Sequence, residues 1–159
     1  MKRDKKAAAA DATRRQPLPP ELCQHLGFML GKARQELADR LDRLTAPLGL
    51  TIRHFGLLLL TTRRGAMRQT DLADAVRLDR TTVMKMIDEL EAAGLVKRGA
   101  DPEDRRANAV KATAKGVQWL EKLKPSAEEI ERDFLSPLSS TEQEALRGLL
   151  TRLVSHAGA

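Results

Sequence analysis

The chain has one cysteine, Cys23, no tyrosine, one tryptophan and three phenylalanines. A single thiol excludes an internal disulfide framework. With so few aromatics the core must come from Leu, Ala, Val, Ile and Met, which favours helices. No apolar run approaches the roughly 20 residues of a membrane span; Phe55–Leu60 is far too short. The N-terminus reads Lys2-Arg3-Asp4-Lys5-Lys6 and then four alanines, too short and too poor in leucine for a signal-peptide core. The expected location is the cytoplasm, with no membrane partner. No Gly-rich phosphate loop, paired-acid constellation or nucleophile–base motif occurs, so the reading is not an enzyme and needs no cofactor. The three histidines, His25, His54 and His156, share no helix face at metal-ligand spacing, so no metal site is expected.

What is present is basic charge, unevenly placed. The chain has 159 residues, one domain by length, and a net charge of +6. Residues 1–20 carry six Lys/Arg against two Asp, and Arg63–Gly116 carries twelve against nine acids. From Val117 onward the balance is acidic, five against seven. Positive charge on a tail and a central module suits phosphate binding.

That central module runs from Gln69 to Arg106. Asp79 is suited to cap a helix that ends at Gly94. Val83, Ile87 and Leu90 fall on its apolar face, with Met86 beside them. Thr81, Lys85 and Asp88 lie opposite, flanked by Thr82 and Met84. Small hydroxylated residues and a cation at the N-terminal half suit entry into a major groove. Gln69–Val76 has room for a preceding short helix, and a tight connection through Arg77 and Leu78 completes helix-turn-helix order. Leu95–Arg98 and Ala107–Ala112 then read as two strands, joined by a turn, Gly99–Arg106, with arginines at its far side. Arginines on such a wing tip suit the negative potential of a narrow minor groove.

Gly94-Leu95-Val96, Asp101-Pro102-Glu103-Asp104-Arg105-Arg106-Ala107 and Thr113-Ala114-Lys115-Gly116 together resemble the multiple-antibiotic-resistance regulator (MarR) family. The resemblance covers roughly Leu22 to Val154. It implies a homodimeric bacterial transcriptional regulator, usually a repressor released by a small ligand or an oxidant, acting on nucleoid DNA. It places Thr81, Thr82 and Lys85 in the base-reading part of the recognition helix. Arg106 matches the wing arginine and Asp104 the acid that braces it. The expected DNA-binding set is Gln69, Thr70, Arg80, Thr81, Thr82, Lys85, Arg105 and Arg106, on a pseudo-palindromic operator.

Around this module the chain reads as helices. Residues 1–18 are expected to be a disordered basic tail, a solubilising extension or an arm that adds nonspecific DNA affinity. Pro19-Pro20-Glu21 opens a long first helix, with Leu22, Leu26, Leu30, Ala33, Leu37, Leu41 and Leu44 as a seam that invites a partner helix. Thr51 caps a second helix reaching about Arg63, apolar nearly all round and expected to be the most buried. Thr113 caps a long helix in which Pro125 must produce a kink or break. Ser139-x-x-Glu142 is a capping box for the last helix. The expected fold is mainly α with a small β-hairpin wing. Residues 51–116 form the winged helix-turn-helix lobe and 19–48 with 117–156 a helical dimerisation base, about six helices in all.

The effector site is the least constrained. Effectors of this family commonly bind near the first, second and fifth helices. The resemblance therefore points to His25, Phe28, Arg34 and His54 as lining, with Arg34 pairing to an anionic aromatic ligand or merely to Glu36 or Asp39. One branch of the family senses organic hydroperoxides through a first-helix cysteine. Here Gly27 occupies that place, Cys23 lies one turn earlier, and the supporting tyrosines are missing. An oxidant sensor at Cys23 and a nonspecific architectural DNA-binding protein stand as the alternative functions. The latter would show steep salt dependence with little preference between operator and random duplex.

Overall fold

The computed structural model describes residues 17–100 and 108–156. It is mainly helical, with one three-stranded antiparallel sheet. Two compact units divide the chain after Glu36.

In the first unit the N-terminal helix is interrupted. A single turn, α1 (Pro20–Cys23), ends at Gln24, and α2 (Leu26–Thr45) begins two residues later. His25 N–H reaches back only three residues, to the Leu22 carbonyl at 3.2 Å, so the chain tightens before α2 starts. The continuous helix expected from Pro19 is therefore two pieces, and Cys23 lies outside α2. Leu22, Leu26, Met29 and Leu30 are all exposed apolar side chains.

In the second unit a short 3-10 turn, Ala46–Leu48, follows α2 and closes at Gly49. Thr45 Oγ1 donates to the Leu50 carbonyl at 2.8 Å, and Ile52 N–H donates to Asp42 Oδ1 at 2.5 Å. These bonds pin the start of α3 (Ile52–Arg63) to the end of α2. β1 (Met67–Arg68) leads into α4 (Gln69–Val76). Arg77 then takes the left-handed conformation, φ 52°, and turns the chain into α5 (Arg80–Ala92). β2 (Val96–Ala100) and β3 (Asn108–Ala112) form the wing hairpin. β3 is the central strand, between β2 and β1, with Arg68 opposite Ala109 and Arg98 opposite Val110. The two-residue β1 was invisible in the sequence, because so short a segment carries no period.

The core sits beneath the helix-turn-helix. Leu57, Leu58, Leu72, Val83, Ile87, Leu90, Leu95, Val96 and Val110 are fully or almost fully buried. Each such side chain contributes about 1.5–3 kcal/mol on transfer from water. α3 buries His54, Leu57, Leu58 and Thr61 and exposes only Arg53 and Arg63, which makes it the most enclosed helix, as its all-round apolar sequence predicts. Its other face is half-open.

α6 (Ala114–Phe134) runs through Pro125 as one helix. Pro125 is exposed, so water can satisfy the Glu121 carbonyl that loses its donor. Of the expected kink or break, the break is absent, because the cost falls on the solvent side. Arg40 lies over the Phe134 ring, 5.6 Å from its centre, and ties α2 to the end of α6. α7 (Ser140–His156) begins with the expected capping box: Ser139 N–H donates to Glu142 Oε2 at 2.8 Å. Leu149, Leu150, Leu153 and Val154 on α7 are exposed. No single helix among the described residues is long and apolar enough to cross a membrane.

Candidate nucleic-acid interface

The site is built on α5. Asp79 Oδ1 accepts from Thr82 N–H at 2.8 Å, and the Thr82 hydroxyl donates to Asp79 Oδ2 at 2.6 Å. These two bonds, the hydroxyl's first, hold the Asp79 carboxyl below its ordinary range. The anion also sits at the positive end of the helix dipole. Thr82 is half-buried, and its hydroxyl proton is committed to Asp79. Arg80, Thr81, Met84 and Lys85 are exposed. Lys85 is 78% exposed and only loosely drawn to Glu89, at 4.0 Å. On α4, Thr70 is exposed and Gln69 half-buried.

The far end of α5 is held by three separate devices. Gly94 takes φ 71° and lets the chain reverse. Lys115 Nζ donates to the Ala93 carbonyl at 2.7 Å, a cation at the negative helix end. Thr113 Oγ1 donates to the Gly94 carbonyl at 2.7 Å and accepts from Gly116 N–H at 3.0 Å. The Thr113-x-x-Gly116 motif therefore welds the start of α6 to the end of α5.

Two side-chain bridges on α5 escaped the sequence reading. His54 is buried on α3, and its Nδ1 accepts from Thr51 N–H at 3.1 Å. That leaves Nε2 to donate to Glu89 Oε2 at 2.7 Å. Arg98, on β2, forks between Glu91 and Asp88, and its N–H donates to Glu91 Oε1 at 2.9 Å. The Arg98 backbone bond first, then its side chain, hold Glu91 below the usual carboxylate range. Neither bridge has a local sequence signature, since the partners lie 35, 10 and 7 residues apart. The wing-tip residues Asp104, Arg105 and Arg106 lie outside the described residues.

A cavity of about 490 Å³ opens between α2, α3 and α6. Leu41, Ile52, Phe55, Leu59, Leu120 and Ala127 form its apolar wall, and Arg63, Lys124, Glu121, Glu128 and Glu131 its polar part. Ile52, Phe55, Leu59 and Arg63 repeat at helical spacing, so the open face of α3 lines the cavity while the His54 face meets α5. None of the four expected effector residues lines it. His54 is buried against Glu89, and His25, Phe28 and Arg34 belong to the first unit. Phe28 there lies beneath Lys32, 5.9 Å from Nζ to the ring centre. Cys23 is exposed, its thiol 4.0 Å from the Leu18 carbonyl oxygen.

An outward-facing, capped second helix beside a three-stranded sheet with a hairpin defines a winged helix-turn-helix DNA-binding protein. The profile of the MarR family matches residues 48–107. A putative transcriptional regulatory protein for the hcr operon of Thauera aromatica is 33% identical over 80% of this chain and 78% of its own length. The crystal structure of a probable transcriptional regulator from Pseudomonas aeruginosa superposes with a TM-score of 0.76. It is 36% identical, over 83% of this chain and 98% of that one. A structure of Bordetella bronchiseptica BpsR, whose DNA binding is regulated by 6-hydroxynicotinic acid, also gives a TM-score of 0.76. It is 27% identical over 87% and 98% of the two chains. The chain belongs to the MarR family of DNA-binding transcriptional regulators.

Proposed function

We propose that this regulator is a homodimeric repressor that reads a pseudo-palindromic operator and is released by a small aromatic acid. The observation that carries the DNA reading is the outer face of α5. Thr81 and Lys85 stand exposed at the N-terminal half of a helix whose other face is fully buried. Thr81, Thr82, Arg80 and Lys85 meet the major groove, and Gln69 and Thr70 position α4 on the backbone. Arg105 and Arg106, the latter braced by Asp104, reach the minor groove. Two-fold symmetry then requires matched half-sites about one helical turn apart.

The dimer reading is supported by apolar surface. Leu149, Leu150, Leu153 and Val154 on α7, and separately Leu26, Met29 and Leu30 on α2, are large exposed hydrophobics at helical spacing. Stripes of this kind mark interfaces. Residues 19–48 and 117–156 serve as the dimerisation base and 51–116 as the DNA lobe.

The effector reading is supported by the cavity, which has the size and mostly apolar lining of a ligand site. Arg63 and Lys124 supply cations for a carboxylate, and Phe55 an aromatic face. BpsR's response to 6-hydroxynicotinic acid supports the same ligand class. The test is binding of the purified protein to its own upstream DNA and to a random duplex, with and without 6-hydroxynicotinic acid and related aromatic acids. Selective binding weakened by an aromatic acid, and insensitive to that acid in Arg63→Ala, is expected. Equal affinity for both duplexes sinks the operator reading. Relief only by an organic peroxide, lost in Cys23→Ser, replaces the cavity with a thiol sensor.

A further inference from the structure

The Arg98 bridge is not accounted for by base reading or by effector binding. Its guanidinium spans two carboxylates one helical turn apart, Asp88 and Glu91, on the C-terminal half of α5. Its own N–H holds a third position, Glu91 Oε1 at 2.9 Å. The Arg98 side chain is only 27% exposed, whereas Asp88 is 63% exposed. Across the hairpin Arg98 is in register with Val110, which is buried in the core. The wing is therefore fastened on one side to the core and on the other to the helix that reads DNA. A planar fork on two carboxylates fixes direction as well as distance, which a lysine point charge cannot do.

We propose that Arg98 is a positioning residue for DNA reading. It touches no base, but sets the angle between wing and recognition helix, and so decides whether major and minor grooves are engaged together. A strand rises about 3.3 Å per residue, so the last described pair, Ala100 and Asn108, already lies roughly 7 Å beyond this pivot. A small rotation at Arg98 grows with distance along the hairpin toward the arginines that follow. The inference rests on the operator reading proposed above.

The test uses the full-length chain. Sites are selected from a random duplex pool with the wild type. Affinities are then measured for the selected site and for a version whose A·T flanks are replaced by G·C. Three variants are compared: Arg98→Gln, Arg98→Lys, and Asp88→Asn with Glu91→Gln. All three are expected to lose roughly tenfold on the full site, the cost of one or a few groove contacts. All should bind the flank-replaced site as the wild type does. The Asp88/Glu91 pair of changes is decisive, because it removes two negative charges. If the bridge served only to neutralise acids near phosphate, that variant would bind tighter with its flank preference intact. That outcome overturns the proposal, as does wild-type behaviour of Arg98→Lys. Circular dichroism checks folding, and if Arg98→Gln does not fold the other two variants decide. Failure of the wild type to select any site overturns both this inference and the operator reading. A selected site with unchanged flank preference in the variants overturns this inference alone.

Discussion

The Gly116 α-carbon sits directly beneath the Leu95 carbonyl. A Cβ built at Gly116 would lie 2.1 Å from that oxygen, 2.9 Å from its carbon and 3.0 Å from Leu58 Cδ1. Two of these neighbours are backbone and cannot move aside alone. The Leu95 carbonyl also accepts from Thr113 N–H at 2.9 Å, so separating the elements would break that bond. Gly116→Ala should therefore destabilise the protein by about 3 kcal/mol, the upper part of the range for overpacking. Denaturant unfolding checks this, and a loss under 0.5 kcal/mol would mean α6 is not seated as described.

Thr113→Val keeps the shape but removes the hydroxyl that caps α6 and bonds the Gly94 carbonyl. The expected loss is about 1–2 kcal/mol, the range for a missing N-cap. Thermal melts of Thr113→Val and Thr113→Ser should separate the lost bond from the lost methyl.

Asp79 supplies a pH signature. Its carboxyl titrates below its ordinary value in the folded chain because Thr82 donates to the charged form. The stabilisation is complete above the unfolded-state value near 3.8 and disappears as pH falls through the lower folded value. Glu91 and Glu142 shift in the same direction, held by Arg98 and Ser139. Stability should thus fall on acidification below about pH 4, the ordinary carboxylate range. Asp79→Ala should lose part of that slope in melts taken from pH 5 to pH 2; an unchanged slope counts against the cap.

Thr81→Ala and Lys85→Ala remove the outward groups of α5 without touching its buried face. Each should cost roughly 1–3 kcal/mol of discrimination between operator and random DNA if it reads a base. If Lys85 instead grips a phosphate, Lys85→Ala weakens both duplexes alike and lowers the salt slope by about one. Filter binding at several salt concentrations tells these apart.

Leu153→Arg places a charge in the exposed apolar stripe of α7. If the proposed dimer uses this stripe, sedimentation should show a dimeric wild type and a monomeric variant. Dimeric Leu153→Arg would remove that stripe from the interface.

The helix-turn-helix was legible in the residues themselves. Asp79, the Val83–Ile87–Leu90 spacing and Gly94 are local signals, and local physics decides a cap, an amphipathic face and a left-handed terminus. The Thr113-x-x-Gly116 spacing was legible too, but its reason was not. Why residue 116 has no side chain depends on a carbonyl 21 positions earlier in the chain. The break at Gln24–His25 and the continuity through Pro125 ran the other way. At the first, helical periodicity gave one answer and hydrogen bonding another; at the second, proline allowed a kink or a break, and solvent exposure left the helix unbroken.

By itself the sequence determined the class of module, its position, the exposed polar face of α5 and its caps, because these depend on residues within a turn or two of each other. Only the tertiary structure decided which titratable groups are spent internally. It buries His54 against Glu89, and it pairs Arg98 with Asp88 and Glu91 on α5. It also decided that the cavity is lined by α2, α3 and α6 residues and none of the histidines. Such pairings follow from which helix faces meet in space, and no spacing along the chain encodes them.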